Sequence, residues 1–331
     1  MRTYVLRRLL LMIPTFIGVS LITFVIIQLA PGSPIAAKLM FNANGMSSEA
    51  SSQQIIEDTK KLYGLDKPIP VQYVLWLGRL ATLDFGKSYK DQRPVSDKIA
   101  EALPITIQLS LLSIFLAYLL ALPAGIFSAT RQYSWADSAL TLTLFVLYSL
   151  PSFWVATLMI MFLAGGEYYD IFPAYGYSSI DAETMSTGAW VMDRLWHMAM
   201  PLFCYTYASL AMISRYMRGS MLETIRQDYI RTARAFGFSE RVVVYRYALR
   251  NSLIPIVTLL GGLLPALIGG SVIIESIFSI PGMGRLAFEG VLSRDYPLVM
   301  GVFTISALLT MFGLLLSDIL TALVNPKITF D

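Results

Sequence analysis

An all-α protein with six membrane-crossing helices is the fold this sequence predicts, and three observations carry it. Of the 331 residues, 56% are hydrophobic and only 14% are charged, where a soluble domain carries about a quarter. The charge is also segregated: long apolar runs hold almost none of it, and the connections hold nearly all. Six of those runs reach the length, about 20 residues, that a helix needs to cross a hydrocarbon core roughly 30 Å thick. Lipid offers the backbone no hydrogen-bond partners, so each run is expected as a helix, which satisfies its own amides and carbonyls.

The runs lie near 9–30, 104–128, 138–164, 198–217, 254–278 and 297–323. The first continues to about Ala30, longer than a secretory signal core, and no A-x-A site closes it, so it is expected as an uncleaved span. Pro14 and Pro123 fall inside the first two runs and are expected to interrupt and bend them. Gly261, Gly262, Gly269 and Gly270 suit either close packing of helices or a flexible gate.

Orientation follows from Lys and Arg in the short connections. Arg2, Arg7 and Arg8 precede the first run, Arg131 lies between the second and third, eight arginines from Arg215 to Arg250 crowd the stretch between the fourth and fifth, and Lys327 follows the sixth. The opposite side has Arg194, Arg285 and Arg294 in its shorter connections, and a long loop, 31–102, in which nine basic residues are set against eight acidic ones. That loop exceeds the roughly 60 residues over which the charge rule holds. Both termini are therefore expected in the cytoplasm and 31–102 outside.

Several chemistries are excluded. Cys204 is the only cysteine and His197 the only histidine, so neither an intrachain disulfide nor a metal site built from these residues is expected. No long basic tract suggests nucleic acid, and no catalytic set or cofactor site is expected. One stretch argues otherwise at first sight. "ATLDFGKSY", 81–89, fits a loosened phosphate-binding loop, with Gly86, Lys87 and Ser88 at the end of the pattern. Yet Ala81 stands where the strict motif has Gly, and Asp84 would aim a negative charge into the cradle. The preceding "VQYVLWLGRL" also reads as an amphipathic helix, with Val71, Val74, Leu75 and Gly78 on one side, where a phosphate loop follows a strand. Placed outside, where there is no ATP pool, the match is fortuitous.

The stretch 218–253 carries the most information. "QDYIRTARAFGFSERVVVYRYALRNSLIP" reads as two short helices separated by a break at Gly237, which suits the left-handed position just past a helix end. Ser239 is expected to cap the second helix, with Glu240 at its positive end. In the first helix Tyr229, Ala233 and Phe236 follow i, i+4, i+7, one expected face with an aromatic at each end and a small residue between. Basic residues around such a face suit the groove of another protein as well as anionic lipid.

These residues resemble the cytoplasmic signature of permease subunits of binding-protein-dependent ABC importers, in their peptide (dipeptide, oligopeptide and nickel) branch. The resemblance covers the whole chain: "LAPGSPI" (29–35), "YGLDKPIPVQY" (63–73), "LDFGKSY" (83–89), "ESIFSIPGMGRL" (275–286), "SRDYPLVMG" (293–301) and "LLSDILTALVNPKI" (315–328) follow in the branch's order. "FLAGGEYYDIFP" (162–173) and "LWHMAMP" (195–201) further resemble its microcin C and oligopeptide subgroup. The wider signature begins Glu-Ala-Ala, and Arg231-Thr232-Ala233 stands there instead, as is common in this branch.

The resemblance implies a type I ABC importer permease in the bacterial inner membrane, forming a peptide path with a second permease. It implies two cytoplasmic ATP-binding cassette ATPase subunits and an extracytoplasmic peptide-binding protein as partners. It also implies a coupling helix, with Tyr229, Thr232, Ala233, Arg234, Ala235, Phe236 and Gly237 as the residues that meet an ATPase.

Glu275 ends a very apolar stretch, and an acid in that setting is a functional candidate. With Arg285 it is expected either to form a structural pair or to serve the gate or pathway. Asp318 is expected to pair with an inner-side arginine, and His197 to be interfacial. The alternative function is an ion-gradient-driven secondary transporter, which would favour two similar halves and buried charges at mid-bilayer; no repeat is visible, and neither Glu275 nor Asp318 is central. An intramembrane hydrolase is disfavoured because His197 has no nucleophile motif beside it.

Overall fold

The computed structural model describes residues 2–29, 67–166, 168–263 and 270–324. Eleven helices order them: α1 (Arg2–Leu29), α2 (Ile69–Ala81), α3 (Val95–Thr130), α4 (Trp135–Ser149), α5 (Ser152–Leu163), α6 (Thr187–Ile225), α7 (Asp228–Ala235), α8 (Leu249–Leu263), α9 (Val272–Ile277), α10 (Met283–Leu292) and α11 (Tyr296–Val324). Glu240–Val242 and a π-helical stretch, Val243–Ala248, lead into α8 without a break. Much of the predicted loop 31–102, "LAPGSPI", Gly269 and Lys327 lie outside the described residues.

Among the described residues three helices are long and apolar enough to cross a membrane: α1, α3 and α11. The number rises to four if the bent pair α4–α5 counts as one span. The fourth predicted run sits within the 39-residue α6. Two runs are not the single helices expected. Run 138–164 turns by 97° between α4 and α5. Pro151 has no amide to donate and drives Leu150 into an extended conformation, ψ 128°. The carbonyl of Leu150 accepts instead from the Tyr207 hydroxyl of α6, at 2.6 Å. Run 254–278 is likewise split, since α9 is a separate short helix entered through Gly270 at φ 60°.

Pro14 and Pro123 do not interrupt their helices as expected: α1 and α3 continue through both. Pro151 instead stands at the N-cap of α5.

The bundle has two ends. At the basic end Arg8, near the start of α1, pairs with Asp318 at 2.9 Å. There, too, Arg218 pairs with the buried Asp137 at 2.9 Å. The Asp137 carboxylate also accepts from the Ser128 hydroxyl and the Tyr133 amide, which ties the α3–α4 turn to α6. At the opposite end α2 lies on α1, with Tyr73 5.4 Å from Phe24 and its hydroxyl 2.8 Å from that of Ser20. The α2 helix forms where the sequence placed an amphipathic helix, but the exposed side is Val71 and Val74, while Gln72 and Leu80 are buried.

Three apolar clusters fill the bundle. One at the basic end joins α3, α6, α7 and the π-helical stretch, one joins α3, α5, α6 and α9, and one joins α3, α10 and α11. Within a bilayer such clusters gain little from leaving lipid and hold by close packing. At Gly125 of α3 a Cβ would stand 2.6 Å from the Met217 Cβ of α6. Only glycine lets the two longest helices approach so closely.

Candidate functional site

At the basic end α7 is built as an amphipathic helix with a terminated C-terminus. Ile230 and Ala233, three residues apart, are buried against Met221, Val243 and Val244. Burying Ile230 completely contributes about 1.5–3 kcal/mol. The helix stops in a Schellman arrangement: the Gly237 amide donates to the Arg234 carbonyl at 2.9 Å and the Phe238 amide to that of Ala233 at 3.4 Å. Gly237 sits at φ 80°, as its place in the sequence predicted.

The predicted face needs a correction. Ala233 does not stand between the aromatics as an exposed knob; it is 5% exposed and faces the chain's own core. An eight-residue helix has one apolar stripe to bury, and Ile230 with Ala233 supplies it. Tyr229, Thr232, Arg234, Ala235, Phe236 and Gly237 are exposed, and Phe236 is 77% so. The Tyr229 hydroxyl accepts from the Asn251 side chain at 2.7 Å, which fixes that ring at one edge.

Ser239 sits at the cap position of the next helix but makes no side-chain cap bond. Glu240 turns back to Arg234 instead, with contacts of 2.7 and 3.2 Å from its two carboxylate oxygens. That bidentate bond holds the Glu240 carboxyl below its usual range and raises Arg234.

The second constellation surrounds Glu275 near the opposite end. Its side chain is wholly buried. One oxygen accepts from the hydroxyls of Thr106 (α3) and Tyr205 (α6), each at 3.1 Å. The other accepts from the Arg285 amide at 3.0 Å, in the first turn of α10. The carboxylate thus serves as the N-terminal cap of α10. The Met283 amide donates to Thr106 at 2.8 Å, and the Ser271 amide to the Tyr205 hydroxyl at 2.7 Å.

Four helices therefore meet on one side chain. Gly282 permits it, since a Cβ there would lie 2.6 Å from the carboxylate. The expected Glu275–Arg285 ion pair does not form. Arg285 directs its guanidinium to Glu289, at 2.7 Å.

Sequence reasoning missed Thr106 and Tyr205. They stand 169 and 70 residues from Glu275, and only the folded bundle brings them to it. His197 is buried rather than interfacial, its Nδ1 2.9 Å from the Asp193 carbonyl.

The stretch 81–89 is no phosphate cradle. It follows α2, a helix, and the Gly86 amide that would face a phosphate donates to Asp84 at 3.0 Å. The buried Ser88 hydroxyl bonds to Asp295 at the start of α11.

Comparison with known proteins places this architecture. The family described as "Binding-protein-dependent transport system inner membrane component" matches residues 121–330, and its N-terminal companion matches 1–110. The chain belongs to that family of ABC importer permeases. Over its full length, and theirs, it is 40% identical to the oligopeptide transport system permease protein AppB of Bacillus subtilis (strain 168) and 32% identical to the inner membrane ABC transporter permease protein YejB of Escherichia coli O157:H7. It is 36% identical to the dipeptide transport system permease protein DppB of Alkalihalophilus pseudofirmus, again over all of both chains. A chain of the inward-facing MetNI methionine ABC transporter shares the fold, with a TM-score of 0.53 at 16% identity, covering 69% of this chain and 96% of that one. The chain is a multi-pass, inner-membrane transport subunit of the type I importer fold.

Proposed function

We propose that this chain carries peptides across the membrane with a second permease, and that α7 is the lever by which two cytoplasmic ATPase subunits drive it. Its relatives' names support the cargo, since AppB is named for oligopeptide transport and DppB for dipeptide transport. The observation that carries the coupling reading is the division of α7 into a buried base, Ile230 and Ala233, and an exposed crown, Tyr229, Thr232, Ala235 and Phe236. An exposed Phe at the tip of a helix bolted to the core transmits displacement; a loose loop would absorb it.

On this reading the basic end is cytoplasmic, with both termini, and the opposite end receives peptide from a binding protein. Glu275 and Arg285 belong to the segment behind that outer mouth. Glu275 holds the α9–α10 turn to α3 and α6, so the turn moves with the bundle.

The test is purification of the chain in mild detergent with mass spectrometry of what accompanies it, together with uptake assays. The reading expects two ATPase chains, a second permease, and peptide uptake stopped by vanadate. Uptake stopped by an ionophore and untouched by vanadate would replace it with the ion-driven alternative.

A further inference from the structure

Between α3 and α6, in the half nearer the opposite end, lies a cavity of about 480 Å³. We propose that it binds an anionic phospholipid, with the phosphate on Arg194 and an acyl chain along the apolar walls. The proposal is independent of the peptide reading and needs only that α3 and α6 lie in a bilayer.

Polar groups gather at one part of the cavity: Gln108, Tyr177, Trp190 and Arg194. The Arg194 guanidinium is held between two rings, 4.5 Å from the centroid of Tyr177 and 4.0 Å from that of Trp190. Those faces soften its charge but supply no acceptor oxygen. Its one side-chain hydrogen bond among the described residues is a long one, 3.4 Å, to the Tyr177 hydroxyl. Its Nε is buried and has no partner among the described residues.

The adjacent carboxylate, Asp193, is already engaged by the Ser179 amide and hydroxyl, at 2.9 and 2.5 Å, and by His197 at 3.3 Å. Gln108 is engaged by the Tyr177 hydroxyl. A cation positioned by two aromatic rings, with a buried donor unspent, is complementary to an anion.

The remaining walls choose the anion. Leu112, Phe115, Leu195 and Met198 carry no hydrogen-bonding oxygen or nitrogen. With Gln108 and Val191 they follow i, i+4, i+7 spacing on two helices that run the same way, over seven residues or roughly 10 Å. A peptide there would leave its amides unpaired in an apolar slot. An acyl chain has none to pair.

The slot opens outward between Leu111, Phe115 and Leu195, which are about half exposed. Trp190 and Tyr177 beside the cation also suit the headgroup level, where such amphipathic rings concentrate.

The test is native mass spectrometry of the whole transporter in mild detergent, titrated with dioleoylphosphatidylglycerol or dioleoylphosphatidylcholine. The wild type is expected to retain the anionic lipid preferentially. Arg194→Gln should lower that retention roughly tenfold or more, the loss of one charge-assisted contact, while Arg294→Gln leaves it unchanged. Leu195→Trp, which fills the slot and keeps the charge, should also expel the lipid.

Unchanged retention in both Arg194→Gln and Leu195→Trp would overturn the proposal. So would displacement of the lipid by trialanine, which would make the cavity a peptide site. So would a photo-crosslinker at position 195 that captures the second permease and no lipid, which would make it a subunit contact.

Discussion

Arg285 meets Glu275 through its backbone amide, at 3.0 Å, while its guanidinium points away to Glu289 at 2.7 Å. The two side chains of this pair therefore have unequal consequences. Arg285→Ala removes only a half-exposed ion pair, worth about 0–1 kcal/mol. Glu275→Ala leaves two buried hydroxyls and the first-turn amides of α10 without their acceptor, at about 1–3 kcal/mol for each group. Thermal unfolding in detergent should show Glu275→Ala far below wild type and Arg285→Ala close to it. Equal losses would mean that the guanidinium, and not the amide, makes the contact.

At the bend between α4 and α5 the Leu150 carbonyl accepts from the Tyr207 hydroxyl. Replacing Tyr207 with Phe keeps the packed ring and strips the partner from the Leu150 carbonyl, a cost of about 1–3 kcal/mol. A lowered melting temperature in Tyr207→Phe is the expected result, and no change would show that another group satisfies the carbonyl.

Gly237 ends α7 at φ 80° with open space around its Cα. Its requirement is therefore conformational and not steric. Gly237→Ala should cost about 1 kcal/mol and loosen ATPase retention modestly, and Gly237→Val should do more. Retention equal to wild type in Gly237→Val would show that the Schellman turn does not set the presentation of Phe236.

Lys87 lies in a loop stitched to α11 and far from α7. Lys87→Ala should leave ATP hydrolysis by the assembled transporter within about twofold, whereas a phosphate-loop lysine contacts the reacting phosphates and its loss abolishes turnover. Abolished hydrolysis would restore the nucleotide reading of 81–89.

Much of the architecture was legible in the sequence because apolar runs of span length have one solution in lipid. The C-terminus of α7 was legible as well, since Gly237 follows an amphipathic pattern that has just ended. What escaped has physical causes. Hydropathy is the same on both sides of Pro151, so 138–164 read as one helix; a proline carried through a helix, like Pro123, and one at a bend, like Pro151, sit in the same apolar pattern.

The face of α7 was misassigned for a related reason. In eight residues i, i+3 and i, i+4 patterns overlap, and the competition between Ile230–Ala233 and Tyr229–Ala233–Phe236 is decided by what the helix packs on. The Glu275 knot draws Thr106 and Tyr205 from two other helices, and nothing local to any of the three announces it.

Three aspartate substitutions, at Ala233, Ala235 and Phe236, test the central claim, that the exposed crown of α7 couples this chain to its ATPases. Ala235 is exposed and Ala233 is buried. Ala235→Asp, and with it Phe236→Asp, should leave the chain inserted, as stable as wild type and bound to the second permease. Both should cost it the ATPases on co-purification, a loss of roughly tenfold for each 1.4 kcal/mol removed from the contact. Ala233→Asp should instead destabilise the chain itself, by burying a carboxylate in its core. The contradicting result is retention of both ATPases, with vanadate-sensitive peptide uptake, in Ala235→Asp and Phe236→Asp alike.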